Sequence, residues 1–150
     1  SAYADGLNAH FAVETGPETS LILKGFLDSL NSRGVAVNLD PANLVMVAGD
    51  DPVQAVYNLK DYIVHTHAKD GRMLLADNAE AVYSESEEPV VTAKSYIELP
   101  LGEGDVPWPA YLAALEDIGF KGFLTIEREV GDDPEKDIRK AVAFLRDLIG

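Results

Sequence analysis

The chain has 150 residues, enough for one domain with a packed core, and 47% of them are hydrophobic. Twelve Lys and Arg stand against 26 Asp and Glu, and the resulting formal net charge of -14 repels phosphate backbones, so no nucleic-acid partner is expected. No apolar run is long enough to span a membrane, and the absence of cysteine excludes disulfides and thiolate chemistry and leaves nitrogen and oxygen as the metal ligands available.

The N-terminus lacks the basic-then-apolar pattern of a signal peptide, which makes the cytoplasm the expected location. The first predicted strand is FAVE at 11–14, followed by a helix over 18–32. VAVNLD at 35–40 is the second strand, and Asp51-Pro52 sets an N-cap acid before the helix at 52–60. YIVHTH at 62–67 is the third strand. It runs on into YIVHTHAKD, where period-2 alternation puts His65, His67 and Lys69 on one face and Val64, Thr66 and Ala68 on the other.

Residues 70–106 break the rhythm, as a long insertion or lid-like loop with an acidic SESEEP stretch expected to be mobile, a β-ribbon around Val90 to Glu98 and a Gly102–Asp105 turn near the substrate side. A helix over 108–118, the strand GFLTIE at 122–127 and a helix over 134–148, capped by Asp133-Pro134, complete the chain. Gly34, Gly119 and Gly150 stand where helices are expected to end.

Alternating strands and helices imply an α/β domain over 1–150 with parallel strands and outer helices. Four βα units are half of a (β/α)8 barrel, whose usual size is about 250 residues. A flavodoxin-like open sheet is the alternative.

Each strand ends in a polar residue: Glu14, Asp40, His67 and Glu127. Active sites of parallel α/β folds form at those carboxyl ends. Three carboxylates and an imidazole at one rim repel or compete unless a cation lies among them, and this donor set suits one Mn²⁺, Co²⁺, Mg²⁺ or Zn²⁺. Such an ion can hold two neighbouring sugar oxygens and stabilise an enediolate while carboxylates move the proton. Asn38 shares a face with Asp40, and Thr125 and Glu129 share one with Glu127. Lys69 is placed to pair with Asp70 or Glu98 or to reach a substrate oxygen, and His65 lies one layer deeper.

FAVETGPE, VNLDPANLV, YIVHTHAKD, LPLGEGDVPWPAYLAAL and GFLTIEREVG together resemble the C-terminal half, strands five to eight, of the xylose isomerase-like TIM barrels of the sugar phosphate isomerase/epimerase superfamily. The resemblance implies one divalent metal on Glu14, Asp40, His67 and Glu127, with Glu14 and Glu127 as the acid/base pair of a ketose epimerase. Asn43, Lys69 and Glu129, placed around these four residues, are the expected substrate contacts. Asn43 stands where the epimerases and endonuclease IV carry a histidine, and Tyr96 and Glu98 stand where endonuclease IV has zinc ligands. The arginine that follows the metal histidine in ketose epimerases has only Arg72 and Lys69 as near candidates.

The expected function is therefore a divalent-metal-dependent isomerase or epimerase of a small sugar or sugar phosphate, or the metal-binding half of one. A catalytically incomplete half-barrel that self-associates to cover its open edges is the alternative. A hydrolase of endonuclease IV type is disfavoured by Asn43, Tyr96, Glu98 and the charge.

Overall fold

A computed structural model describes residues 1–75 and 95–150. A short helix, α1 (Ala2–Gly6), precedes β1 (Phe11–Glu14), α2 (Ser20–Ser29) and β2 (Val35–Leu39). Next come α3 (Pro41–Asn43), which runs into one wide turn at Leu44–Ala48, then α4 (Pro52–Asn58) and β3 (Ile63–Ala68). The ribbon strands β4 (Asp70–Met73) and β5 (Tyr96–Leu99) follow, then α5 (Trp108–Asp117), β6 (Leu124–Ile126) and α6 (Pro134–Ile149).

β1, β2, β3 and β6 form one parallel sheet in that order, as the βα alternation predicted. Its helix-facing side carries Val35, Val37, Leu39, Thr66 and Ala68, all buried under Leu23 and Leu27 of α2, Ala55 and Val56 of α4, Tyr111, Ala114 and Leu115 of α5, and Ala141 and Leu145 of α6. The small residues on the back of β3 let Tyr111 approach closely enough for its hydroxyl to lie 2.6 Å from Thr66 Oγ1. The opposite side of the sheet carries polar side chains and is open.

The register slips by one residue between Val37 and Asn38: Val37 pairs with Ile63, whereas Asn38 pairs with His65. The extra residue, Val64, bends β3 locally and brings His65 and His67 onto the open face beside Asn38. Asn38, between the helix-facing Val37 and Leu39, points to the open side; without the bulge it would stand opposite Val64 instead of His65.

Several predicted boundaries move. α2 ends at Ser29 instead of 32, because Asn31 adopts a left-handed φ of 46° there. Gly34 therefore caps no helix. A Cβ on Gly34 would lie 2.0 Å from the Ser1 carbonyl oxygen, so this glycine is required by the approach of α1. β6 is three residues long and Glu127 lies just beyond it, although its N–H still reaches Ala68 O across the sheet at 3.2 Å. Of the ribbon expected around Val90 to Glu98, only the end from Ser95 lies among the described residues, and there β5 pairs antiparallel with β4. The SESEEP stretch lies outside the described residues. No helix among those described is long and apolar enough to cross a membrane.

Candidate metal centre

Asp40 is the most constrained residue of the rim. It is fully buried and caps α3: Oδ1 accepts from Ala42 N at 2.8 Å and Asn43 N at 3.2 Å, with Pro41 at the first helical position. That cap consumes one carboxylate oxygen and aims the other, Oδ2, out over the end of β2. Oδ2 lies 3.5 Å from His67 Nδ1.

The same imidazole nitrogen lies 3.2 Å from Glu14 Oε1 and 3.0 Å from Glu127 Oε2. Strands β1, β2 and β3 and the end of β6 thus deliver Glu14, Asp40, His67 and Glu127 to one point, with a ligand atom from each residue lying within 4.8 Å of all the others. Asp40 Oδ2 and His67 Nδ1 are buried and make no hydrogen bond among the described residues. Two buried polar atoms facing each other without an aligned bond, beside two more carboxylates, are the arrangement that a divalent cation satisfies. The donor set of three oxygens and one nitrogen fits that ion.

Electrostatics at the cluster follow from crowding. The Asp40 carboxylate facing the ring raises the His67 pKa; burial opposes the shift, and Glu127 and Glu14 add to it. Burial raises the Glu14 pKa, His67 partly offsets that, and the charges of Asp40 and Glu127 add to the rise. Without an ion, His67 and Glu14 hold protons more tightly than isolated groups would.

Lys69 continues the polar face of β3 and is 5% exposed. Its Nζ lies 2.5 Å from Glu129 Oε2, 3.3 Å from Glu127 Oε2 and 3.8 Å from Glu98 Oε2. Burial works against its charge, but the Glu129 hydrogen bond and the fields of Asp40, Glu127 and Glu129 outweigh that and hold its pKa above the ordinary lysine value. Arg128 extends the network, donating to Glu98 Oε1 at 2.7 Å and Asp137 Oδ2 at 2.8 Å.

The pairing of Lys69 with Glu98 is present, but the one with Asp70 is not. Asp70 is buried and turned the other way. It accepts from the N–H groups of Gly71, Gly102 and Val106 and from Trp108 Nε1, at 2.8 to 3.2 Å. Those bonds pin the Gly102–Asp105 turn against β4, and a Cβ on Gly104 would meet Asp70 Oδ1 at 2.1 Å. The turn expected on the substrate side does not line the cleft; Tyr96 and Glu98 of β5 do.

That cleft has a volume of about 490 Å³ and opens directly over the cluster, with Glu14, Glu127, Asn43, Lys69 and Glu129 in its wall. Asn43 Nδ2 donates to Thr15 O at 3.0 Å and Glu14 Oε1 at 3.3 Å, so it orients one of the rim carboxylates. Arg72 is held away by Asp105 at 2.8 Å. Beneath the rim, His65 Nε2 lies 2.9 Å from Thr125 Oγ1 and its ring stands edge-on to His67, with 5.9 Å between centroids.

A family model described as xylose isomerase-like TIM barrel matches residues 8–148. The chain belongs to the xylose isomerase-like TIM barrel family. The match covers nearly the whole chain, and the solved structures agree with it. A xylose isomerase domain protein from Planctomyces limnophilus superposes with a TM-score of 0.78 at 31% identity, over 98% of this chain and 49% of that one. A 3-keto-D-glucoside 4-epimerase from E. coli superposes with a TM-score of 0.66 at 18% identity, over 97% of this chain and 49% of that one, which is a likeness of fold. Inosose dehydratase of Lacticaseibacillus casei is 24% identical over 127 residues, 85% of this chain and 41% of the relative. The chain thus spans about half the length, or less, of the relatives it matches.

Proposed function

We propose that the chain carries the metal-binding and proton-transfer half of a divalent-metal-dependent sugar isomerase or epimerase. The observation that carries this is the convergence of Glu14, Asp40 and Glu127 on His67 Nδ1 within 3.5 Å, at the floor of an open cleft. Mn²⁺, Co²⁺, Mg²⁺ or Zn²⁺, bound by these four residues, would supply the positive charge that makes the carbon next to a sugar carbonyl acidic. Glu14 and Glu127 project from the two edges of the sheet and are the groups placed to take a proton from that carbon and return one. Lys69 holds Glu127 and Glu129 in place and lies within reach of a substrate oxygen.

The cleft favours an uncharged sugar over a sugar phosphate. Glu14, Glu18, Glu98, Glu127 and Glu129 line it, and Lys69, the single cation among the described residues that line it, is already shared by three carboxylates. Barrel enzymes commonly bind phosphate in the loops after their last two strands. Here the loop after β6 carries Glu129, Asp132 and Asp133.

The inosose dehydratase relative favours a second reading, dehydration, which begins with the same removal of a proton next to a carbonyl. The two differ in product: an epimerase keeps the sugar's oxygens, and a dehydratase releases water. Incubating an unphosphorylated ketose with cation-loaded protein in D₂O separates them. Deuterium next to the carbonyl without loss of water supports epimerisation, an unsaturated product supports dehydration, and neither leaves the catalytically incomplete unit.

We further propose that a second copy covers the open sheet edges. The edge regions expose Phe11 (65%) and Phe123 (78%), and a two-fold axis along the strands would set β6 of one copy parallel to β1 of the other. Two four-stranded units would then form eight strands. A stable monomer at micromolar concentration in sedimentation contradicts this association.

A further inference from the structure

Asn38 lies directly behind the His67 ring. Its Nδ2 is 3.1 Å from His67 Nε2, while its Oδ1 is buried and has no hydrogen-bond partner among the described residues. In this arrangement Nδ2–H donates and Nε2 accepts, so the single N–H of a neutral imidazole must sit on Nδ1. That nitrogen faces Glu14, Asp40 and Glu127, and while it carries a proton it has no lone pair for a cation.

A half-turn of the amide exchanges its two ends. Oδ1 then faces Nε2, where it accepts a hydrogen bond, and the ring proton on Nε2 leaves the Nδ1 lone pair directed into the rim. We propose that Asn38 is a positioning residue for the cation site, presenting Oδ1 to His67 Nε2–H and holding the tautomer in which Nδ1 is the ligand. This rests on the cation site proposed above and is independent of which sugar reacts there.

Asn38 faces the open side because it alternates with Val37 and Leu39, and the register slip after Val37 sets His65 and His67 of β3 on that same side. Among the described residues Asn38 is the one that hydrogen-bonds His67 Nε2. His65, whose ring stands edge-on to that of His67, is engaged at Nε2 by Thr125 Oγ1.

The test is a pair of variants, Asn38→Leu and Asn38→Asp, with Zn²⁺ titrated calorimetrically and ¹⁵N-resolved imidazole spectra recorded with and without the ion. Leucine removes both ends of the amide at similar size, and aspartate keeps only an acceptor. Zn²⁺ affinity is expected to fall tenfold or more in Asn38→Leu, within the range for loss of a partner behind a metal-bound histidine, and to stay at or above wild type in Asn38→Asp. The Nε2–H resonance of His67 is expected to be protected from water exchange in Zn²⁺-loaded wild type and Asn38→Asp, and lost in Asn38→Leu. Wild-type affinity with a protected Nε2–H in Asn38→Leu overturns the proposal, as does an Asn38→Asp variant as weak as Asn38→Leu. If the leucine variant does not fold, the aspartate variant and the wild-type spectra still decide. Absence of Zn²⁺ binding by wild type overturns the cation site itself together with this role.

Discussion

Thr15 and Asp40 hold each other twice: Thr15 Oγ1 donates to Asp40 O at 2.9 Å and accepts from Asp40 N at 2.8 Å. Both residues are buried, and the pair ties the end of β1 to the end of β2 just where Glu14 and Asp40 leave the sheet. Thr15→Val preserves shape and removes both bonds, leaving a backbone N–H and C=O unpaired. The expected cost is about 1–3 kcal/mol of stability, with weaker divalent-cation binding, read by urea denaturation and calorimetry. Unchanged stability would mean that these bonds do not fix the rim.

Lys69 opposes the proposed cation in charge while neutralising its neighbours. Lys69→Met is expected to destabilise the metal-free protein by about 3 kcal/mol, because Glu98, Glu127 and Glu129 lose their buried partner. The same substitution should tighten Mn²⁺ binding, since one positive charge leaves the site. Weaker Mn²⁺ binding in a folded Lys69→Met protein would contradict this placement of the ammonium.

The cluster also sets a pH dependence. His67 has a raised pKa in the folded protein, so its contribution to metal-free stability is fully present below its ordinary value of 6.5 and is lost as pH rises through the folded value. Glu14, also raised, acts in the same direction from its ordinary 4.5 upward. Thermal melts of metal-free protein should therefore show stability falling as pH rises above about 6.5. Cation affinity should move the other way, weakening toward acid with proton release on binding. Melting temperatures flat across that range without metal would sink the assignment.

Asp70 gathers four donors, Gly71 N–H from β4 and three from the segment Gly102–Trp108 that leads into α5. Asp70→Ala strands them and is expected to cost about 3 kcal/mol or more. Gly104→Ala, which would push a methyl group into the same carboxylate, should also destabilise. Near-wild-type denaturation midpoints for both would show that the turn is not held this way.

What was legible in the sequence was the part governed by period and position. Glu14, Asp40, His67 and Glu127 each close an apolar run, and strand ends of a parallel sheet meet at one rim, so their convergence followed from spacing alone. The Asp40-Pro41 cap is the same pair of residues as Asp51-Pro52 and Asp133-Pro134, but the apolar run VAVNLD reads through Asp40 as strand and masks the helix start. The partners of Lys69 and Asp70 were out of reach for a different reason. They lie about 30 to 60 residues away, and which of two adjacent charged residues faces the cleft depends on β4 turning back to pair with β5. The bulge at Val64 left no sequence mark either, since no glycine or proline announces it.

Calorimetric titration of Mn²⁺ into the wild-type chain and into His67→Ala tests the central claim most directly. One ion per chain for the parent, with affinity at least tenfold weaker for His67→Ala at unchanged fold, is the predicted result. Equal affinity and stoichiometry in both proteins would contradict a cation held by Glu14, Asp40, His67 and Glu127.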